Sequence, residues 1–144
     1  METSTPDLIR RVADEAEIRN VIAGLAHLAD ADSDDFEAYL SLWADDATTI
    51  HPEDQAHGHA EILERSRDLR RRGIQGPGTN TVHVNTTQWV RLDSSDVATS
   101  ESYWQFYGSV NERPPKLLAI GLYRDTLHRT PSGWKVYRRE VLSR

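Results

Sequence analysis

Helical and strand-like patterns are segregated along this chain rather than alternating. Helical periodicity fills the first half and strand periodicity the second, which excludes a doubly wound parallel sheet, where strands and helices must take turns. Apolar Leu8, Val12, Ile18, Val21, Ile22, Leu25 and Leu28 recur every three or four positions and predict a helix over residues 7–30. Asp32-Ser33-Asp34-Asp35 offers short side-chain oxygens that cap helix starts. Phe36, Tyr39, Leu40 and Trp43 then keep helical spacing, so a short second helix is expected to end near Trp43. β-Branched Thr48, Thr49 and Ile50 predict a strand from Ala47 to His51, followed by Pro52 and a polar loop through His57. Gly58 opens a third helix with Ile62, Leu63 and Leu69 on its apolar side, and Gly73, Gly76, Pro77 and Gly78 end it. Strands follow over 79–92, 97–110, 116–129 and 134–142, separated by Asp93-Ser94-Ser95-Asp96, Glu112-Arg113-Pro114-Pro115 and Pro131-Ser132-Gly133. Short turns between long strands imply an antiparallel meander. The expected fold is therefore α+β, three N-terminal helices on one face of a curved, mainly antiparallel sheet, in a single domain spanning 1–144.

Composition narrows the function classes. Seventeen Lys+Arg against 23 Asp+Glu leave a net charge of -6, which argues against a nucleic-acid partner, whose phosphates need a dense basic surface. Arg65, Arg67, Arg70, Arg71 and Arg72 do crowd one segment, but Glu61, Glu64 and Asp68 are interleaved, so a solvated helix face with local ion pairs is expected. The sequence has no cysteine, hence no disulfide, thiolate metal site or thiol nucleophile. No apolar run approaches the ~18 residues of a membrane span, and Met1-Glu2-Thr3-Ser4-Thr5-Pro6-Asp7 lacks the basic and apolar parts of a leader, so no membrane contact and a cytoplasmic location are expected. There is no Gly-rich phosphate loop, and no cofactor is expected. His57-Gly58-His59, with His51 and Glu53 nearby, matches no established metal spacing and reads as an exposed loop, so no metal is expected.

Two residues from different elements suggest proton chemistry. Asp30 ends the first helix, where the helix dipole disfavours a carboxylate; it either caps the exit toward the acidic stretch or orients a partner. Strand alternation places His83, Asn85, Thr87 and Trp89 on one face and Val82, Val84 and Thr86 on the other. An imidazole held by a carboxylate is the commonest protein device for moving a proton near neutral pH. The same period groups Ser102, Trp104, Phe106 and Gly108, then Ala119, Gly121, Tyr123 and Asp125, then Tyr137, Arg139 and Val141. His51 and Thr49 share a face of the first strand, and His27 lies one turn before Asp30.

The ordered set Glu17-Ile18-Arg19 in the first helix, Asp30, Asp34-Asp35-Phe36, Trp43-Ala44-Asp45-Asp46-Ala47, Gly58, His83, Gly133-Trp134 and Arg139 resembles the nuclear transport factor 2-like superfamily. Within it the chain looks like the polyketide-cyclase or SnoaL-like group, which includes scytalone dehydratase and hexachlorocyclohexane dehydrochlorinase. The resemblance covers nearly the whole chain and implies a cone-shaped α+β barrel enclosing a cavity. It implies His83 as general base oriented by Asp30, and Arg139 or His51 opposing developing negative charge. His27, Thr49, Trp104, Phe106, Tyr123, Ala119 and Val141 would then contact a hydrophobic cyclic, polyketide-like or terpenoid-like small molecule. Arg139 has a simpler alternative, an internal salt bridge with Asp125 or Glu101. The implied activity is that of a cofactor-independent lyase or cyclase. The alternatives are an isomerase or epoxide hydrolase on the same fold, or a non-catalytic binding or assembly module. Two departures stand out: the dehydrochlorinase carries a cavity lysine where this chain has Leu25, and the water-activating tyrosines of scytalone dehydratase have no counterpart at matching positions. A homodimer is expected, with Leu118, Ile120 and Leu122 on the outer sheet face. The chain stops about where the last strand ends, so the C-terminal extension of some relatives is expected to be missing.

Overall fold

Ser4 Oγ accepts the backbone N–H of Asp7 at 3.3 Å, and Pro6 sits where its missing N–H costs nothing, so the first helix starts at a capped end. Helix α1 (Thr5–Asp30) runs for 26 residues. The computed structural model describes residues 3–109 and 113–144. The expected strand end at Val110, turn residue Glu112 and the leading Met1-Glu2 lie outside them. Only from Asp14 onward does α1 pack, burying Ile18, Val21, Ile22 and Leu25. Leu8 and Val12, expected in the same buried stripe, are 53% and 61% exposed because the helix outruns the sheet beneath it.

Helix α2 (Glu37–Ser41) is shorter than its apolar spacing predicts, and strand β1 (Trp43–Ile50) begins at Trp43 rather than Ala47. Trp43 satisfies both patterns: it continues the helical spacing of Phe36 and Tyr39, yet is buried at the head of a strand that pairs with Val136. The expected polar loop contains a short strand, β2 (Gln55–His57), which pairs with β1 and is tied to it by Thr48 Oγ1 and His57 Nδ1 at 2.8 Å. Helix α3 (Gly58–Arg71) follows from Gly58, whose φ of 76° suits glycine.

Strands β3 (Thr81–Leu92), β4 (Val97–Gly108), β5 (Lys116–Thr130) and β6 (Gly133–Ser143) form the expected meander. β1 adds to it parallel to β6, giving an open mixed sheet in the order β2-β1-β6-β5-β4-β3. The alternation in β3 breaks at a bulge between Thr86 and Trp89, where Thr87 has φ 53°. Trp89, expected on the face of His83, is therefore turned outward and 64% exposed, while Val90 takes the inner position. On the outer face Leu118 and Ile120 are exposed as expected, but Leu122 is buried between its cross-strand neighbours Tyr103 and Leu142.

The β5–β6 hairpin is clamped onto α1. Glu17 accepts the backbone N–H of Trp134 at 2.9 Å, and Asp14 accepts both the Trp134 indole at 3.0 Å and Arg129 at 2.6 Å. Gly133 has φ 106° and brings its backbone so close to Glu17 that a Cβ would lie 2.4 Å from Oε1. Burial pushes the Asp14 carboxyl up, but its bonds to Arg129 and Trp134 outweigh this and hold it below the usual range. The clamp fixes the angle at which α1 crosses the sheet, and so where its far end, Asp30, lies.

Candidate active site

The space between the helices and the inner sheet face contains a cavity of about 240 Å³. A cavity of about 150 Å³ lined by apolar side chains holds benzene, so this one has room for a larger ring system. Leu25, Ala26 and Ala29 of α1, Ile62 and Leu69 of α3, and Phe106, Ala119 and Val141 of the sheet give it apolar walls. A second cavity of about 400 Å³ adjoins it, sharing His51, Arg65 and Trp104 and bringing in the charged Glu53, Asp54 and Arg72.

His83 lies on the wall of the first cavity, and Asp30 stands behind it. Asp30 Oδ1 and His83 Nδ1 are 2.7 Å apart, and Oδ2 accepts the His83 backbone N–H at 2.6 Å. One carboxylate thus holds both the ring and the strand that carries it. Their side chains are 14% and 17% exposed, enough for access and too little for solvent to dissolve the contact. With Nδ1 donating to a carboxylate, the neutral ring leaves Nε2 as its basic nitrogen. The Phe106 ring, with its centroid 4.6 Å from that of His83, packs against the imidazole.

The other expected residues divide. Trp104 and Tyr123 stack with centroids 5.8 Å apart and form one wall, and Ala119 and Val141 border it. Gly121 leaves room for the tryptophan, since a Cβ there would collide with the Leu142 carbonyl oxygen and with the Trp104 ring. Burial pushes the Tyr123 phenol up to about 12, against the opposing pull of the Arg139 cation, so it remains a hydrogen-bond donor across the physiological range. Arg139 lines the cavity but is also the internal salt bridge considered from the sequence: Nε and Nη2 donate to the two Asp125 oxygens at 2.7 and 2.8 Å, and its guanidinium lies 4.0 Å over the Tyr123 ring. His51 lines the cavity beside Thr49, with Nε2 2.9 Å from Thr49 Oγ1. Burial, then the Arg65 cation, push its imidazole down to about 4; it is neutral at pH 7 and acts as a hydrogen-bonding group, not a cationic acid.

His27 does not reach the site. It is exposed on α1 and absent from the cavity wall. A helix turns ~100° per residue, which carries His27 round past Asp30, away from the side bearing Leu25, Ala26 and Ala29. His57 and His59 are structural, bonded to Thr48 and to the Trp43 carbonyl, and no metal-binding cluster occurs among the described residues. Several lining residues carried no functional signal in the sequence. Tyr39 and Trp43 read as helix core, and Gln75, buried in the wall, lies in a Gly-rich loop with no periodicity. Arg65, read as part of a solvated face, pairs with Asp54 at 2.6 Å and borders both cavities.

The SnoaL-like domain family matches residues 10–140, and the chain belongs to that family. It is similar in structure to a nuclear transport factor 2-like protein with a cystatin-like fold from Novosphingobium aromaticivorans, with 27% identity, TM-score 0.79, and 98% of this chain and 90% of that one covered. A candidate scytalone dehydratase from the same organism matches with 21% identity and TM-score 0.76 over 95% of this chain and 88% of that one. A hexachlorocyclohexane dehydrochlorinase of LinA type from Novosphingobium barchaimii matches with 18% identity and TM-score 0.70 over 94% and 89%. No curated protein sequence gives a significant match. No helix among the described residues is long and apolar enough to cross a membrane.

Proposed function

We propose that this member of the SnoaL-like family is a cofactor-independent lyase or cyclase acting on a hydrophobic, cyclic or polyketide-like small molecule. The observation that carries this reading is the 2.7 Å Asp30–His83 contact at the wall of an apolar cavity. His83 Nε2 takes a proton from carbon, and Asp30 keeps the tautomer and balances the imidazolium. The C–H electron pair then forms a double bond as a leaving group departs with its own pair, or is held as an enolate whose carbon attacks a carbonyl of the same molecule, closing a ring as the carbonyl π pair moves to oxygen and takes the proton back from His83. Tyr123 and Arg139 line the same cavity, and in this reading the phenol O–H and the guanidinium oppose the negative charge that grows on the substrate. Leu25 is apolar where the dehydrochlorinase carries a cavity lysine, which fits a substrate different from that of the dehydrochlorinase.

Incubation with hydroxylated, ketonic and halogenated cyclic compounds in deuterated water, read by mass spectrometry, tests the proposal through elimination products or deuterium at the acidic carbon. For whichever compound reacts, His83→Ala is expected to cut turnover at least about a hundredfold with the fold intact. Unchanged turnover would remove His83 from the chemistry.

The reading includes a homodimer formed through the outer sheet face, where Val82, Tyr103, Leu117 and Ile120 are exposed apolar residues on neighbouring strands. Sedimentation of wild type as a dimer and of Ile120→Asp as a monomer is the expected pattern; a monomeric wild type rules this part out.

A further inference from the structure

Arg70 departs most from the reading of the arginine run as a solvated face. Its neighbours Arg71 and Arg72 behave as expected, pairing with Glu64 and Asp68 at the surface. The Arg70 side chain is 10% exposed and points under the C-terminal end of α1. That end needs a partner. Its C-cap, Ala31, has φ -58° and ψ 146°, so the left-handed closure by which many helices satisfy their last carbonyls is not used. Arg70 takes them instead. Nη2 donates to the Ala31 carbonyl at 3.1 Å and lies at longer range from those of Ala29 and Leu28, at 3.4 and 3.5 Å. Nη1 donates to the Ser33 carbonyl at 2.6 Å, in the link to α2.

The same side chain also touches the route to His83. Gly76, with φ 88°, packs onto it so tightly that a Cβ there would lie 2.9 Å from Arg70 Nε and 3.0 Å from Cγ. The loop holding Gly76 enters β3 through Thr81, whose Oγ1 donates to the Ile74 carbonyl at 3.3 Å, two residues before His83. From the other side the Phe36 ring holds the guanidinium, 4.6 Å from its centroid. One rigid fork therefore contacts the helix end that carries Asp30 and the loop that delivers His83. It also places a permanently charged guanidinium, shared at 3.3 Å with the exposed Asp34 carboxylate, at the end where the helix dipole opposes the Asp30 carboxylate.

We infer that Arg70 is the positioning residue of the Asp30–His83 pair, fixing the last turn of α1 against the loop before β3 so that carboxylate and imidazole meet. The inference rests on the proposed use of that pair. Its test reads the contact itself, so it fails or stands separately from the activity. In the full-length labelled protein, imidazole nitrogen shifts report the His83 tautomer, and the Nδ1–H proton resonance reports its protection from water.

Arg70→Met is expected to speed exchange of that proton by about tenfold or more and to mix the tautomers, while the Trp134 indole proton, held by Asp14, is unchanged. Arg71→Met, the surface control, is expected to leave both signals as in wild type. Arg70→Lys keeps a charge but loses the fork and is expected to speed exchange at least about fivefold. It also decides the matter if the methionine variant does not fold. A protected, single-tautomer His83 in a folded Arg70→Met or Arg70→Lys protein, with only a lower melting temperature, makes Arg70 a plain helix cap and overturns the proposal. A hundredfold loss of turnover in His83→Ala alongside that result would leave the proposed function standing and this inference refuted.

Discussion

Two carboxylates each hold a nitrogen side chain of the same cavity wall, and the two contact lengths are identical. Asp30 Oδ1 to His83 Nδ1 is 2.7 Å, and so is Asp125 Oδ1 to Arg139 Nε. Their chemistry is opposite. Asp125 and Arg139 join by two parallel bonds across adjacent strands, with side chains 0% and 9% exposed. Burial pulls the Arg139 guanidinium down, but attraction and hydrogen bonding to Asp125 more than compensate and its pKa is raised, so its proton never leaves. Asp30 and His83 join ring to carboxylate by one bond, and the imidazole keeps a second nitrogen toward the cavity. A short ion contact does not by itself mark a proton-transfer site; what matters is whether the cation can exist without its charge within reach of neutral pH.

Breaking each pair should separate the roles. Asp125→Ala leaves a buried guanidinium uncompensated and is expected to cost about 3–5 kcal/mol of stability, read by urea unfolding; a loss under about 1 kcal/mol would mean that water or another acceptor replaces the carboxylate. His83→Ala is expected to invert this pattern, its hundredfold loss of turnover coming with a stability loss of only about 1–2 kcal/mol. If both variants lose mainly stability, the contrast between the pairs is wrong. Tyr123→Phe keeps the ring beneath Arg139 and removes only the hydroxyl, so turnover is expected to fall roughly tenfold to a hundredfold with little change in melting temperature. An unaltered rate would confine the Arg139–Tyr123 stack to structure.

The smallest effect concerns His51, which lines the same cavity. Its folded pKa, about 4, lies below the unfolded value of 6.5. The unfolded chain therefore binds more protons in the window between them, and stability falls as pH drops through it. In His51→Gln the drop in melting temperature between pH 7 and pH 5 is expected to be shallower than in wild type; parallel curves would show that His51 is not held neutral.

Much of the fold was legible because it follows from periodicity. Segregated periods set the class, and period-two alternation grouped Trp104 with Phe106 on one strand and Tyr123 with Ala119 on the next, while the family resemblance turned both faces toward a cavity. The errors arose where one residue satisfied two patterns or where the phase changed without a marker. Trp43 fits the end of a helix and the start of a strand, and Thr87 turns the strand over without a glycine to announce it. His27 shows the limit of sequence proximity on a helix: it lies one turn before Asp30 but about 60° further round the cylinder, away from the cavity-lining Ala26 and Ala29.

By itself the sequence determined the layers, the order of the strands in the meander, which residues share a strand face and a short set of residues able to move a proton. Such properties depend on local spacing and side-chain chemistry. Tertiary structure alone decided that Asp30 meets His83, that Arg139 is bound to Asp125, and that Arg70 leaves its surface row to seal the end of α1. Each of these is a contact between residues at least fourteen positions apart in the chain. Whether such residues meet depends on how the helices cross the sheet and on strand register, as in the β5–β6 register that sets Asp125 opposite Arg139. No local pattern carries that information, because burial and pairing are properties of the packed chain and not of the segments that enter it.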